Sequence, residues 1–107
     1  MAADAVGQVF SALADGTRRQ VIETLASGGS ATATSLAAEL PMTRQAVAKH
    51  LDALRRAELV RSSRRGRETV YRIEPHALTE AASWIAGVGG EWDDRLGRLS
   101  RLLDSRA

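Results

Sequence analysis

The sequence predicts a mainly α-helical fold with one small β-hairpin, and three observations carry that expectation. Apolar residues recur at three- and four-residue spacing in five separate runs, helix-stopping and helix-capping residues stand between the runs, and one arginine-tipped pair of short β-like segments interrupts them. Asp4 can cap the first run, whose apolar positions are Val6, Val9, Phe10 and Leu13. Asp15 restarts the count, and Val21, Ile22 and Leu25 mark a second helix over Thr17 to Ala26. Ser27-Gly28-Gly29 should end it, because glycine takes the left-handed conformation that closes helices. Thr32 or Thr34 caps a third helix through Leu36, Ala37 and Leu40, and Pro41 cannot continue it for want of an amide hydrogen.

Thr43 then caps a fourth helix with Val47, Leu51 and Leu54 on one face and Arg44, Gln45, Lys49 and Asp52 largely on the other. Two helices joined by Leu40-Pro41-Met42-Thr43 form a helix-turn-helix pattern. Leu59 to Arg64 and Thr69 to Ile73 read as strands of a hairpin around Arg65-Gly66. Pro75 opens the last helix, where Leu78, Ala81, Ile85, Val88, Trp92, Leu96, Leu99 and Leu103 keep a helical period to the end. Gly87, Gly89 and Gly90 fall inside that period. Each weakens a helix by about 1 kcal/mol relative to alanine, so a kink, a break or a close approach of another helix is expected there.

Composition narrows the function. Nineteen of the 107 residues are alanine and only four are aromatic, so a monomer has little bulk for a core, and self-association is expected to supply further burial. The chain has no cysteine, which excludes disulfides, thiolate zinc sites, iron–sulfur ligation and thiol redox sensing. No early basic residue leads an apolar run and no run reaches eighteen apolar residues. The expected location is therefore cytoplasmic, with no membrane partner.

The formal net charge of +2 conceals an uneven distribution. Residues 1–40 and 74–107 each sum to −2, whereas Arg44, Lys49, Arg55, Arg56, Arg61, Arg64, Arg65, Arg67 and Arg72 face only Asp52, Glu58 and Glu68 in residues 41–73, a net +6. A solvated basic face explains such a block as well as a polyanion does. Its position decides the matter, because it lies on the helix-turn-helix and the hairpin.

Helices, a helix-turn-helix, a basic hairpin and a long apolar-seamed helix, in that order, describe a winged helix-turn-helix with a long C-terminal dimerisation helix. The second helix of such a unit enters the DNA major groove by its N-terminal half. Here that half runs from Thr43 to His50. Arg44 suits guanine, Gln45 suits adenine, Ala48 lets the backbone close in or touches a thymine methyl, Lys49 suits phosphate, and His50 packs beneath the helix or bonds a phosphate. Arg64, Arg65 and Arg67 crowd the hairpin tip.

Three stretches, FSALADGTRRQVIETLA at 10–26, SLAAELPMTRQAVAKHLDALRRAELV at 35–60 and RRGRETVYRI at 64–73, resemble the ArsR family of bacterial winged-helix repressors over roughly half the chain. The resemblance implies a homodimer, paired through the first and last helices, that blocks a promoter by binding an inverted-repeat operator. It places Arg44, Gln45, Ala48 and Lys49 where the family contacts DNA and Arg64, Arg65 and Arg67 in its wing. The expectation is one domain over 1–107, with 1–14 and 75–107 as dimerisation helices and Val6, Phe10, Leu13, Ile85, Trp92, Leu96, Leu99 and Leu103 at the interface. Two residues depart from the family pattern. Ala48 stands where serine is common, and Glu58 stands where glycine commonly closes the recognition helix, so that turn is either less left-handed or strained.

The cysteine pairs and Asp/His clusters of the family's metal sensors have no counterpart here, and no metal, cofactor or catalytic residue is expected. His76 with Glu80 reads as an exposed helix start rather than half of a zinc site. Arg18 and Arg19 are divided between touching DNA and pairing with Glu23, and Trp84 and Trp92 read as seam residues before they read as an effector pocket. No GxSxG, HExxH or phosphate-cradling glycine loop occurs, so the chain is not expected to be an enzyme. The competing reading is a winged-helix protein–protein interaction module that does not bind DNA. The effector, if there is one, is not legible.

Overall fold

A computed structural model describes residues 5–105. The elements run α1 (Ala5–Leu13), α2 (Gly16–Gly28), β1 (Ser30–Ala31), α3 (Ala33–Glu39), α4 (Arg44–Arg56), β2 (Val60–Arg65), β3 (Glu68–Ile73) and α5 (Pro75–Ser105). Asp4, the expected cap of α1, lies outside the described residues. The order and kinds of element agree with the sequence-based expectation, with some boundaries moved and one strand added.

Caps set the boundaries. Asp15 ends the first turn of chain and starts α2 one residue earlier than expected, its carboxylate accepting the amide hydrogens of Thr17 and Arg18 at 2.8 and 3.1 Å. α2 then runs on to Gly28, and it is Gly29, at φ 84°, that closes it by donating its amide hydrogen to the Leu25 carbonyl. Of the two candidate caps for α3, Thr32 takes the role in a reciprocal capping box with Ser35. Thr43 caps α4 by accepting from the Ala46 amide at 3.1 Å.

The stretch after Gly29 has no strand-like alternation, yet Ser30 and Ala31 pair antiparallel with Arg72 and Tyr71. β3 is thus central in a three-stranded sheet of order β1-β3-β2. Gly66, at φ 64°, and Arg67 make the two-residue turn between β2 and β3.

One apolar core lies among α1–α4, the base of the hairpin and the start of α5. Val21, Leu25, Leu36, Val47, Leu51, Leu54 and Leu59 are closed to solvent. Each such side chain contributes on the order of 1.5–3 kcal/mol of burial, and three of them lie on the inner stripe of α4, which fixes that helix's outer face. Glu58, directly after α4, has φ 62° and therefore carries the left-handed conformation that glycine adopts without cost. Of the two alternatives for that turn, the strained one holds.

α5 is continuous through Gly87, Gly89 and Gly90. It packs on α1 near its start, where Ala81 is buried and Phe10 meets Trp84 edge-on at 5.7 Å between ring centroids, and then leaves the core. The radius of gyration is 19.2 Å against about 13 Å for a compact chain of this length, and the long dimension is 70 Å. Along the projecting part Ile85, Val88, Trp92, Leu96, Leu99 and Leu103 are about half exposed or more, with Trp92 at 60%. No helix of the described residues is long and apolar enough to cross a membrane.

Candidate nucleic-acid interface

The inward stripe of α4 leaves Arg44, Gln45 and Lys49 exposed, with Ala48 and His50 half-buried. β2 and β3 extend beside this helix, and side chains alternate across their ribbon. The register sets Arg64 opposite Thr69 and Ser62 opposite Tyr71, on the face that also carries the buried Val60. Arg65, opposite Glu68, and Arg61, opposite Arg72, belong to the other face.

A groove of about 240 Å³ forms where these elements meet the start of α3. Arg44 and Ala48 line it from α4, Arg64 and Arg67 from the hairpin with one acid, Glu68, beside them, and Thr34 and Tyr71 from α3 and β3. Arg44 is held there by its Nε, which donates to Thr34 Oγ1 at 3.1 Å, and the two terminal amino groups of its guanidinium have no hydrogen-bond partner among the described residues. The groove therefore unites four of the expected contact residues. Thr43 sits beneath them as the cap, Gln45 and Lys49 lie on the adjoining exposed face, and Arg65 lies across the ribbon. His50, half-buried on α4, is one of the lesser electrostatic influences on Asp15 at the start of α2.

The other basic residues of the block divide by their partners, apart from Arg72, which is exposed and, among the described residues, unpaired opposite Arg61 on the other face of the ribbon. Asp52 binds Arg55 at 2.8 Å and Arg56 at 3.4 Å, and the Arg55 bond is the main reason its carboxyl titrates below the usual range. Arg61 pairs with Glu74. Among the described residues, Arg44, Lys49, Arg64, Arg65 and Arg67 pair with no acidic side chain, and all five are exposed. Charge left unneutralised on neighbouring helix and hairpin surfaces attracts a polyanion, and guanidinium forks match phosphate oxygens and the guanine edge.

Sequence reasoning did not find Thr34 or Tyr71. Tyr71 sat in a strand pattern that supplied a face but no neighbour, and Thr34 entered only as a rival cap. Arg19 donates to the Leu13 carbonyl instead of pairing with Glu23. His76 Nε2 lies 3.1 Å from Glu80 Oε1 on the exposed start of α5, and no third metal-ligating side chain joins them among the described residues.

Residues 13–63, from the last residue of α1 to the fourth of the six residues of β2, match the helix-turn-helix domain family. The chain is 38% identical over 98 residues to the HTH-type transcriptional regulator Rv2034 of Mycobacterium tuberculosis, covering 92% of this chain and 88% of that protein. Its fold superposes on an ArsR-like transcriptional regulator from Rhodococcus sp. RHA1 with a TM-score of 0.83, at 39% identity and 94% coverage of each chain. It also matches the homodimeric winged helix-turn-helix DNA-binding domain Mb0332 from Mycobacterium bovis, a possible ArsR-family regulator, with a TM-score of 0.62, 31% identity and coverage of 87% and 82%. With a basic groove shared by recognition helix and wing, and relatives of this likeness over most of its length, the chain belongs to the ArsR family of winged helix-turn-helix, DNA-binding transcriptional regulators.

Proposed function

We propose that the protein is a cytoplasmic homodimeric repressor that binds an inverted-repeat operator, acts without a cysteine-based metal sensor and catalyses no reaction. The observation that carries this reading is the groove in which Arg44 and Ala48 of α4 meet Arg64 and Arg67 of the hairpin. In this reading α4 enters the major groove with Arg44 and Gln45 at base edges and Ala48 at close approach. Thr43, Lys49 and His50 border the phosphates, and Arg64, Arg65 and Arg67 grip the flanking backbone.

Residues 1–107 act as one DNA-binding domain, with 1–14 and 75–107 pairing two copies. Val6, Phe10 and Leu13 of α1 and Ile85, Trp92, Leu96, Leu99 and Leu103 of α5 form the contact. The half-exposed apolar face of α5 supports this pairing, since a stripe of this length is rarely left in water, and the homodimeric Mycobacterium bovis domain is a precedent. A dimer seated on a promoter represses by excluding polymerase.

Selection from random duplexes tests the reading. It should return an imperfect inverted repeat with half-sites about one helical turn apart. Arg44→Ala should weaken the selected site by about 1–3 kcal/mol and relax preference at one base pair. Asymmetric single half-sites would refute the dimer geometry, and binding without a salt dependence would identify a protein-interaction module instead.

A further inference from the structure

We propose that the hollow between α1, the start of α2 and the end of α4 is a binding site for a small oxyanion, a carboxylate or a phosphate group. Arg18 lines this hollow, which measures about 290 Å³. Its Nε is closed to solvent without a hydrogen-bond acceptor, and its side chain enters no hydrogen bond or ion pair among the described residues. The rest of the side chain is half-exposed, but a guanidinium nitrogen cut off from water and left unpaired is costly, and buried polar groups are rarely left without a partner.

The rest of the lining fits the missing acceptor. Arg56 brings a second guanidinium, paired at 3.4 Å with the Asp52 oxygen that Arg55 does not use, so an incoming oxyanion competes with that carboxylate at an exposed pair. Gln8 and Ser11 of α1 supply neutral donors, and the remaining lining residues are alanines, so no carboxylate borders the hollow. Asp15 does not line the hollow: one of its oxygens accepts from the Thr17 and Arg18 amides, and its carboxylate feels the Arg18 charge without bonding the guanidinium. The larger hollow of about 460 Å³ between α1, β2 and α5 differs on this point. Its Arg61 and Glu74, and its His76 and Glu80, already satisfy one another.

An oxyanion bridging Arg18 and Arg56 would join the start of α2 to the end of the recognition helix beneath α1. Its regulatory consequence rests on the proposed function; its binding does not. The same chemistry has two sources, a free anion or a phosphate of the DNA backbone, and two arms of one experiment separate them.

In the first arm, thermal unfolding of the full chain without DNA is followed in phosphate and in acetate against chloride at matched ionic strength. A saturable rise of about 4 °C is expected for the wild type in one of these anions, lost in Arg18→Gln and in Arg56→Gln. Backbone amide NMR shifts at Gln8 and Ser11 should saturate at the same concentrations. In the second arm, the salt dependence of duplex binding is compared for wild type and Arg18→Gln. A log–log slope smaller by about 2 for the dimer, with no response to free anions, assigns the site to a backbone phosphate. Arg18→Lys keeps the charge without the planar fork and guards against misfolding of the glutamine variant; it should fold and bind the anion more weakly. Equal stabilisation of wild type and Arg18→Gln, which is the signature of general salt exclusion, together with an unchanged slope, would overturn the site.

Discussion

Replacing Arg64 and Arg67 by glutamine separates aimed charge from charge that merely accumulates. Both side chains border the groove shared with α4, neither pairs with an acid among the described residues, and both are exposed, so the double variant should keep its stability within about 0.5 kcal/mol per site. If each contacts one phosphate, a bound dimer loses four such contacts. Counterion release gives about 0.9 unit of log–log slope per contact, so the slope should fall by about 3.6. Between about 50 and 200 mM salt the wild-type affinity should then drop ~150-fold further than that of the variant. Fluorescence anisotropy on a labelled duplex at three or four salt concentrations reads this directly. Arg61→Gln is the control: it removes one positive charge from the same hairpin, but from a residue on the other face of the ribbon that is bound to Glu74. Its slope should stay near the wild-type value. If Arg61→Gln changes the slope as much per residue as the wing pair does, net charge and not geometry governs binding, and the groove loses its meaning.

Three further outcomes are expected. Glu58→Gly relieves the left-handed strain at φ 62°, and after the entropy that glycine adds to the unfolded chain it should raise stability by about 0.5–1 kcal/mol in thermal unfolding; a lower midpoint would show that the glutamate side chain has an unrecognised stabilising partner. Leu96→Asp puts two carboxylates into a paired α5 seam and should weaken dimerisation by ~3 kcal/mol, about 150-fold, or more in sedimentation equilibrium; an unchanged dimer mass would move the interface elsewhere. Asp15 is held below its ordinary value of 3.8, chiefly by the hydrogen bond from the Arg18 amide, so its stabilising share is complete above that value and is lost as the pH falls through it toward the folded-state value. Asp15→Asn keeps an acceptor that cannot protonate and should flatten the acid limb of the stability curve; an identical limb would assign acid unfolding to other carboxylates such as Asp52.

Local chemistry explains why most of the fold was legible. α4 carries a threonine cap, an apolar stripe at helical spacing and arginines in its last turn, and all of these act within a turn of the residue concerned. β1 was not legible because two residues have no period, and they become a strand only when β3 presents unpaired backbone beside them. The glycines of α5 left three outcomes open. Three weak helix formers within four positions suggested a kink, a break or the close approach of another helix; the helix runs through, and within one chain nothing lies within 4 Å of where their Cβ atoms would stand. Propensity of about 1 kcal/mol per residue is a small term beside two continuous flanking segments that both favour the helix.

The candidate site shows the same division between near and distant causes. Counting charge along residues 41–73 treats nine basic residues alike, and the fold sorts them by where the acids fall. Asp52 is three and four residues from Arg55 and Arg56, so the withdrawal of those arginines follows from helical spacing alone. Glu74 is thirteen residues from Arg61 and reaches it only because β3 returns antiparallel to β2. Once these three are removed from the tally, five of the six that remain lie at the N-terminal half of α4 and the hairpin tip, and Arg72 stands apart beside Arg61 on the other face of the ribbon. It is the placement of two carboxylates, as much as that of the arginines, that gives the basic block a direction.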